Sequence, residues 1–437
     1  MMMALAISMF SCNDENETPE PDPITTPSEL TILGGAISGV WEKNSVVDVF
    51  ASFEIPANKQ LIIEEGVTVV IHPNAQDVPV EIMVYGDLIC LGTADNMIEF
   101  TVPDEQKSSN AATWGGIFGS ELGTFGTNNV TNPPCIVMQY VKIGYAGALT
   151  TANSYTAHTY KSEAGKAVPA INTMAQHSKV IVQHCHFHST FSDGISQLGG
   201  DMIISNNIFE NIGTIVGGEG INVKDREVVD IAYNVFYSPA NSCVKLSGTN
   251  ASLTPGIFAV YNNTCINGGG RRTDSYYGSF GLESNCKSSV YNNLLVNCAY
   301  GINESTGSPK NDASFIGYNW YYAHTEELAE QQEDGYHCPR NNDVIPDVNG
   351  VKGGAGEHNP LFVNYPLNTP TTTGLISSSW NFHLQAGSGA LTAGAEPGVI
   401  SPKVNWLTNG LTVKINGQDR TFKSPAPSKY CGAFGTN

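Results

Sequence analysis

The chain is written in short apolar runs separated by polar residues, Gly and Asn, and no stretch sustains the 3.6-residue apolar period of an amphipathic helix. The elements this pattern predicts are strands. Five runs in the middle of the chain are alike: Ile204-Ser205-Asn206-Asn207-Ile208-Phe209, Ala232-Tyr233-Asn234-Val235-Phe236, Val260-Tyr261-Asn262-Asn263-Thr264-Cys265, Val290-Tyr291-Asn292-Asn293-Leu294-Leu295 and Gly317-Tyr318-Asn319-Trp320-Tyr321. The steps between Asn207, Asn234, Asn263, Asn293 and Asn319 are 27, 29, 30 and 26 residues, a repeat with inserts of variable length. The unit is too long for a hairpin meander with fixed turns, and it lacks the helical segment of leucine-rich or ankyrin repeats. Three short strands and three turns fit it. Coils stacked in that way place equivalent residues about 4.8 Å apart, so an inward Asn lies on the Asn of the next coil and their amides hydrogen-bond along the stack.

Downstream of each Asn run comes a second strand, in Gly194-Ile195-Ser196, Gly220-Ile221-Asn222, Cys243-Val244-Lys245, Gly281-Leu282-Glu283 and Gly301-Ile302-Asn303. With Ile195, Ile221, Val244, Leu282 and Ile302 inward, alternation sends the next residue out. The expectation is an exposed strip of Ser196, Asn222, Lys245, Glu283 and Asn303, flanked by Lys224 and Asn285. Inserts at 101–113, 119–134, 145–168, 266–279, 303–313 and 323–358 are expected to project as loops, where function usually sits on a rigid scaffold.

Three regions carry a resemblance. Leu61-Ile62-Ile63-Glu64-Glu65-Gly66-Val67-Thr68-Val69, Val84-Tyr85-Gly86-Asp87-Leu88 and Trp114-Gly115-Gly116-Ile117 are similar to the entry coils, the Asn repeat to the middle coils, and Asn359-Pro360-Leu361-Phe362-Val363, His383-Leu384-Gln385-Ala386-Gly387-Ser388 and Cys431-Gly432-Ala433-Phe434 to the closing segment of right-handed parallel β-helix proteins of the pectate-lyase-like superfamily. In particular the chain resembles bacterial surface lipoproteins of that kind. The resemblance implies an all-β, single-stranded right-handed parallel β-helix, a solenoid with an N-terminal cap and an irregular C-terminal closing segment. It implies a signal peptide over 1–11, an acidic Pro-rich tether over 12–33, the β-helix over 34–385 and a closing segment of the same domain over 386–437. It speaks to fold rather than activity, since that superfamily spans lyases, hydrolases, epimerases and inert adhesins.

Net charge is -20, so a phosphate backbone would be repelled, and nucleic acid is not expected as a partner. At the N-terminus a short apolar run ends in Met9-Phe10-Ser11-Cys12, which resembles the lipobox of a bacterial lipoprotein, with Cys12 the residue acylated. Asn13-Asp14-Glu15-Asn16-Glu17 is similar to the acidic stretch that directs some such proteins to the cell surface, and Pro19, Pro21, Pro23 and Pro27 make an extended tether. The expected address is the outer membrane, surface-exposed, with membrane lipid as a partner through Cys12. Nine further cysteines have no C-x-x-C spacing; most are read as small buried hydrophobes, with one or two unassigned disulfides left open.

Candidate chemistry is sparse. Gly268-Gly269-Gly270-Arg271-Arg272-Thr273-Asp274-Ser275-Tyr276-Tyr277 offers two cations and two aromatic rings beside the strip, a combination able to grip a carboxylate and stack on a pyranose. The ligand-binding set expected is Asn222, Lys245, Glu283, Arg272, Tyr276 and Tyr277, and the ligand a polysaccharide. His184, His186 and His188 are expected to face outward, and residues two apart on a strand are about 7 Å apart, too far for one ion to bridge all three. No metal and no cofactor are expected, with calcium entering only if the protein is a lyase. In that alternative, β-elimination from a uronate would use Lys224, Lys245 or Arg271, with Asp225, Asp230 or Glu283 helping to neutralise the substrate carboxylate through calcium. A paired-carboxylate signature for hydrolysis is missing. A third reading is a structural or adhesive spacer without a small-ligand site.

Overall fold

The computed structural model describes residues 28–73, 78–108, 112–123, 127–128, 133–159, 164–175, 177–214, 217–224, 228–248, 256–272, 279–305, 307–333, 341–345, 354–370, 374–396, 400, 407 and 409–436. The chain winds as a right-handed parallel β-helix, each coil giving one strand to each of three parallel sheets. Sheet A has 11 strands, from Glu29–Ile32 to Trp320–Tyr322; sheet B has 10, from Gly35–Ala36 to Ile302–Glu304; sheet C has 10, from Gly39–Trp41 to Phe315–Gly317. One apolar core runs along the inside, in which Phe187, Phe209 and Phe236 of successive coils stack at 4.7 and 5.0 Å. Such ring pairs add about 0.5–1.5 kcal/mol each beyond the area they bury.

The corner from sheet C to sheet A explains the paired asparagines, whose two members do different work. The first sits at positive φ, as in Asn206 (59°), Asn262 (51°) and Asn292 (57°), a conformation Asn tolerates better than most residues. The second forms the expected ladder. Each Oδ1 accepts both the backbone N–H and the side-chain amide of the Asn one coil earlier, from Asn207 through Asn234, Asn263 and Asn293 to Asn319, with amide-to-amide distances of 2.9–3.0 Å. This corner is tight, two residues between Gln183 and His186, Ala232 and Val235, or Tyr291 and Leu294. Over these coils variation in length is therefore pushed to the other two corners, from A to B and from B to C, both of which border sheet B, whereas nearer the N-terminus the C-to-A corner itself is longer, as between Leu91 and Ile98.

The far end of the stack is closed by the described parts of the segment expected as a projecting loop at 323–358. Helix Glu326–Glu333 buries Ala329 and Gln332, and Gln332 Nε2 donates to the carbonyls of Cys298 and Tyr322. Asn341 and Val344 bridge in parallel to Gly317 and Trp320, as the start of another coil. Beyond residue 359 the chain runs back along the sides instead of over the end. Phe362, Phe382 and Leu384 pack on Val235, Tyr237 and Val296 of sheet A; Leu411, Val413 and Phe422 pack on Val137, Ile181 and Ile203 of sheet C; Tyr233, at a C-to-A corner, and Tyr261 of sheet C donate to the carbonyls of Ala426 and Pro425. These side-on contacts exist because the outer faces of sheets A and C are apolar there. Cys243 and Cys265 form a disulfide across the inner A-to-B corner, while Cys90, Cys135, Cys185, Cys286, Cys298 and Cys431 are buried thiols.

Candidate functional site

Among the described residues, the C-terminal segment contacts sheets A and C and leaves the outer face of sheet B to the corner segments. Strand register places Asn172, Ser196, Asn222, Lys245, Gly281 and Asn303 in one outward file, because Ile171, Ile195, Ile221, Val244, Phe280 and Ile302 point into the core. Glu283 belongs to the next outward file, with Lys224 and Ser247. Expecting it opposite Lys245 was an error of two residues: Phe280, rather than Leu282, takes the place of Val244. The two side chains still meet diagonally, Lys245 Nζ lying 3.2 Å from Glu283 Oε1.

The file is also less open than expected. Ser196, Asn222 and Asn303 are buried, and Lys224, Lys245 and Glu283 are half-buried. The first coils of the sheet are covered too, by the segment around helix Tyr155–Thr159: the Tyr155 N–H donates to Glu81 Oε2 at 2.6 Å, and the Tyr155 ring packs on Met83, Tyr85 and Phe118.

At the head of the sheet B strands lies a buried acid pair that sequence reasoning missed. Asp193 Oδ1 accepts the backbone N–H of Gly218 (2.9 Å) and of Glu219 (3.1 Å), and its Oδ2 accepts from Asn222 Nδ2 (3.2 Å). Glu219 Oε1 accepts from Asn241 Nδ2 at 2.9 Å. Burial, reinforced by the charge of Asp193 and a hydrogen bond to it, pushes Glu219 up to about 8, against a smaller opposing pull from Lys245. Both effects favour the neutral acid form of Glu219. The available signal was the repetition of Asp193-Gly194-Ile195 as Glu219-Gly220-Ile221 one coil later.

Hydrogen-bonding capacity on this face is not fully spent. Neither amide atom of the fully buried Asn172 has a partner, and Asn222 Oδ1 has none. Unpaired buried groups cost about 1–3 kcal/mol each. Farther along, Lys310 Nζ pairs with Glu304 Oε2 at 3.2 Å.

The other expected residues fall elsewhere. Arg271 Nε donates to the Ser238 carbonyl (2.9 Å) and Nη2 to that of Ile212 (2.6 Å), tying neighbouring corners together; burial brings it down to about 10. Arg272 beside it is half-buried. Asp230 lies on sheet C, where its carboxylate accepts the Leu407 N–H, so it is not with Lys245. Tyr276, Tyr277, Asp225 and Cys12 lie outside the described residues. His186 and His188 face outward from sheet A as expected; His186 Nε2 meets Glu210 Oε1 at 2.8 Å, and His184 occupies a positive-φ corner. Among the described residues, the one grouping of three side chains able to hold a metal is Cys243, Cys265 and Cys298 in the core, and two of these share the disulfide.

Comparison with protein-family models and with curated proteins finds no match for the chain. What fold and site define is a class: a parallel β-helix whose C-terminal segment covers sheet C and the later strands of sheet A, with polar and charged side chains along the outer face of sheet B.

Proposed function

We propose that this is a surface lipoprotein, anchored in the outer membrane through acylated Cys12, which holds polysaccharide along the outer face of sheet B. The reading rests on the unequal treatment of the three faces. Apolar files on sheets A and C are covered by residues 359–436, whereas sheet B carries Asn172, Asn222, Lys245 and Glu283, two of them with unpaired amide atoms, between the two corners that accept all the long inserts. A glycan offers many hydroxyls in a line, which suits a file of amides and ion pairs repeating at about 4.8 Å. Arg272, Tyr276 and Tyr277, from the corner segment between Ile266 and Phe280, would add a cation and two stacking rings. A glycan array probed with the body from residue 30 onward, repeated with Lys245→Ala and Asn222→Ala, tests this. Loss of binding with retained melting temperature is expected, and unchanged binding by both variants overturns it. For the anchor, Cys12→Ala should move the protein from the membrane to the soluble fraction.

A lyase acting on uronic-acid-containing glycan is the second reading, favoured by the protonated Glu219 beside Lys245, which gives one site a proton donor and a cation. Lys224 or Lys245 would remove the proton next to the uronate carboxyl, and calcium would neutralise that carboxylate in this reading alone. Ultraviolet absorbance of an unsaturated uronate product separates lyase from binder.

A further inference from the structure

A cleft of about 440 Å³ lies where residues 376–383 fold back over Ile208 and Val235 of sheet A. That volume lies within the range of about 300–1,000 Å³ typical of small-molecule sites. Its floor is Ile208, an exposed large apolar residue on a strand; Trp380, Phe382, His383 and Phe434 supply its aromatic walls. The walls are pinned. The Ile376 N–H donates to Glu210 Oε2 (2.6 Å), Asn364 Nδ2 donates to the Ser379 carbonyl (2.6 Å), Trp380 packs on Tyr237 and Tyr365, and the His383 ring stacks on Phe434 at 4.6 Å.

The polar rim of this cleft has unspent capacity of both signs. Asn381 Oδ1 accepts the backbone N–H of His383 (2.9 Å) and faces His383 Nδ1 (2.8 Å), so Nδ1 carries the ring proton. Asn381 Nδ2 is left as a donor, His383 Nε2 as an acceptor and the Ser378 hydroxyl as either, with no partner to any of them among the described residues. No Lys, Arg, Asp or Glu is among the described residues lining the cleft, so that lining supplies no fixed counter-charge for a charged ligand. A ligand with one apolar face, a rim of hydroxyls and no charge has the chemistry of a neutral pyranose.

We propose that the cleft between sheet A and residues 376–383 is a binding site for a single neutral pyranose residue, stacked against Trp380 and held at its rim by Ser378, Asn381 and His383. It is separate from the face of sheet B and does not depend on what binds there. Glycan ends or side branches would supply such a residue, and the site would then give the protein a second, uncharged grip on a sugar.

Saturation-transfer difference NMR with methyl glucoside, methyl galactoside and the corresponding methyl uronate, at millimolar concentration, tests the proposal on the intact body. The expected result is saturation of the axial ring protons of a neutral glycoside, weaker transfer to the uronate, loss of the signal in Trp380→Ala, and a roughly tenfold weaker affinity in Asn381→Ala, equivalent to about 1.4 kcal/mol. Trp380→Ala also removes packing from an aromatic cluster, so Asn381→Ala and Ser378→Val, at the rim, decide the matter if it fails to fold. Lys245→Ala should leave the signal unchanged, which separates this site from the proposed one on sheet B. No transfer to any glycoside in the parent, a stronger response to the uronate, or equal signals in the parent and the rim variants would overturn the assignment.

Discussion

Asn319 donates its backbone N–H (2.8 Å) and its side-chain amide (3.2 Å) to one and the same oxygen of Asp343. A carboxylate therefore ends the ladder that five asparagines build, at the coil where no further Asn follows. Asp343→Asn keeps an acceptor in place and should stay within about 1 kcal/mol of the parent, whereas Asp343→Ala strands two donors and should cost about 1–3 kcal/mol. Asn263→Leu, in mid-ladder, removes partners on both sides and should cost more, about 3–5 kcal/mol. Denaturant midpoints measure all three. Equal midpoints for Asp343→Asn and Asp343→Ala would show that the ladder needs no end.

Glu219 makes stability pH-dependent with a definite sign. Its folded value, about 8, lies above the ordinary 4.5, so between these the folded state holds a proton that the unfolded state has lost. Its contribution is complete below about 4.5 and disappears as pH rises through about 8. Glu219→Gln can donate to Asp193 and accept from Asn241 at any pH, so its melting temperature should no longer fall between about pH 5 and about pH 9, and should exceed the parent's at the upper end. His188 supplies an internal control of opposite sign. Burial holds it down at about 4, so its contribution is lost as pH falls from about 6.5 through 4, and that acid limb should be the same in both proteins. A variant as alkali-sensitive as the parent would mean that the pair does not share a proton in the folded state.

How far the fold could be read in advance depended on which signals repeat. Asn207 to Asn319 recur once per coil at a corner that keeps one length over those coils, so the period, the ladder and the parallel stack were all legible. Asp343 was not, because it is a different residue type in a segment with few apolar positions. Glu283 was misplaced by its own neighbours: Gly281-Leu282-Glu283 looks like Gly220-Ile221-Asn222, and a slip of two residues preserves which side chains point out. Only the contacts of Phe280 with the core distinguish the two registers. Burial of Asn222 was invisible for another reason, since the carboxylate that holds its amide is that of Asp193, on the preceding coil.

The same corner geometry predicts where the chain tolerates insertion. Two glycines placed between Asn262 and Asn263 would lift one ladder rung out of line and separate the positive-φ residue from its partner, so a loss of more than about 3 kcal/mol is expected. Two glycines after Gly307, in the B-to-C corner between Glu304 and Phe315, lengthen a connection that already varies from coil to coil. Loop entropy there costs only about 0.6 kcal/mol per doubling of length. Thermal melts of the two insertions should differ widely, and comparable losses would mean that the tight corner is not what holds the coils in register.

The C-terminal segment raises the question of whether it is a detachable cover or part of the folding unit. Phe422 is buried in a cluster with Leu411 and Val413 of its own hairpin and with Ile62, Val137, Ile181 and Ile203 of sheet C, residues drawn from coils far apart in the chain. Arg420 Nη2 reaches Gln139 Oε1 at 2.8 Å and Lys179 Nζ reaches the Thr412 carbonyl at 2.7 Å, so the hairpin is also tied at its margins. Phe422→Ala should remove about 3–5 kcal/mol from whatever unit contains it. If hairpin and coils unfold together, the variant shows one transition at lower denaturant, with fluorescence and far-ultraviolet circular dichroism coincident. A cover that peels away first would instead give an early fluorescence change with the strand signal intact, and the apolar files of sheet C would then be exposed in a folded rod. The width of that apolar surface argues for the single transition, because a solenoid with Ile62, Ile181 and Ile203 bare on one side would present an adhesive stripe along its length.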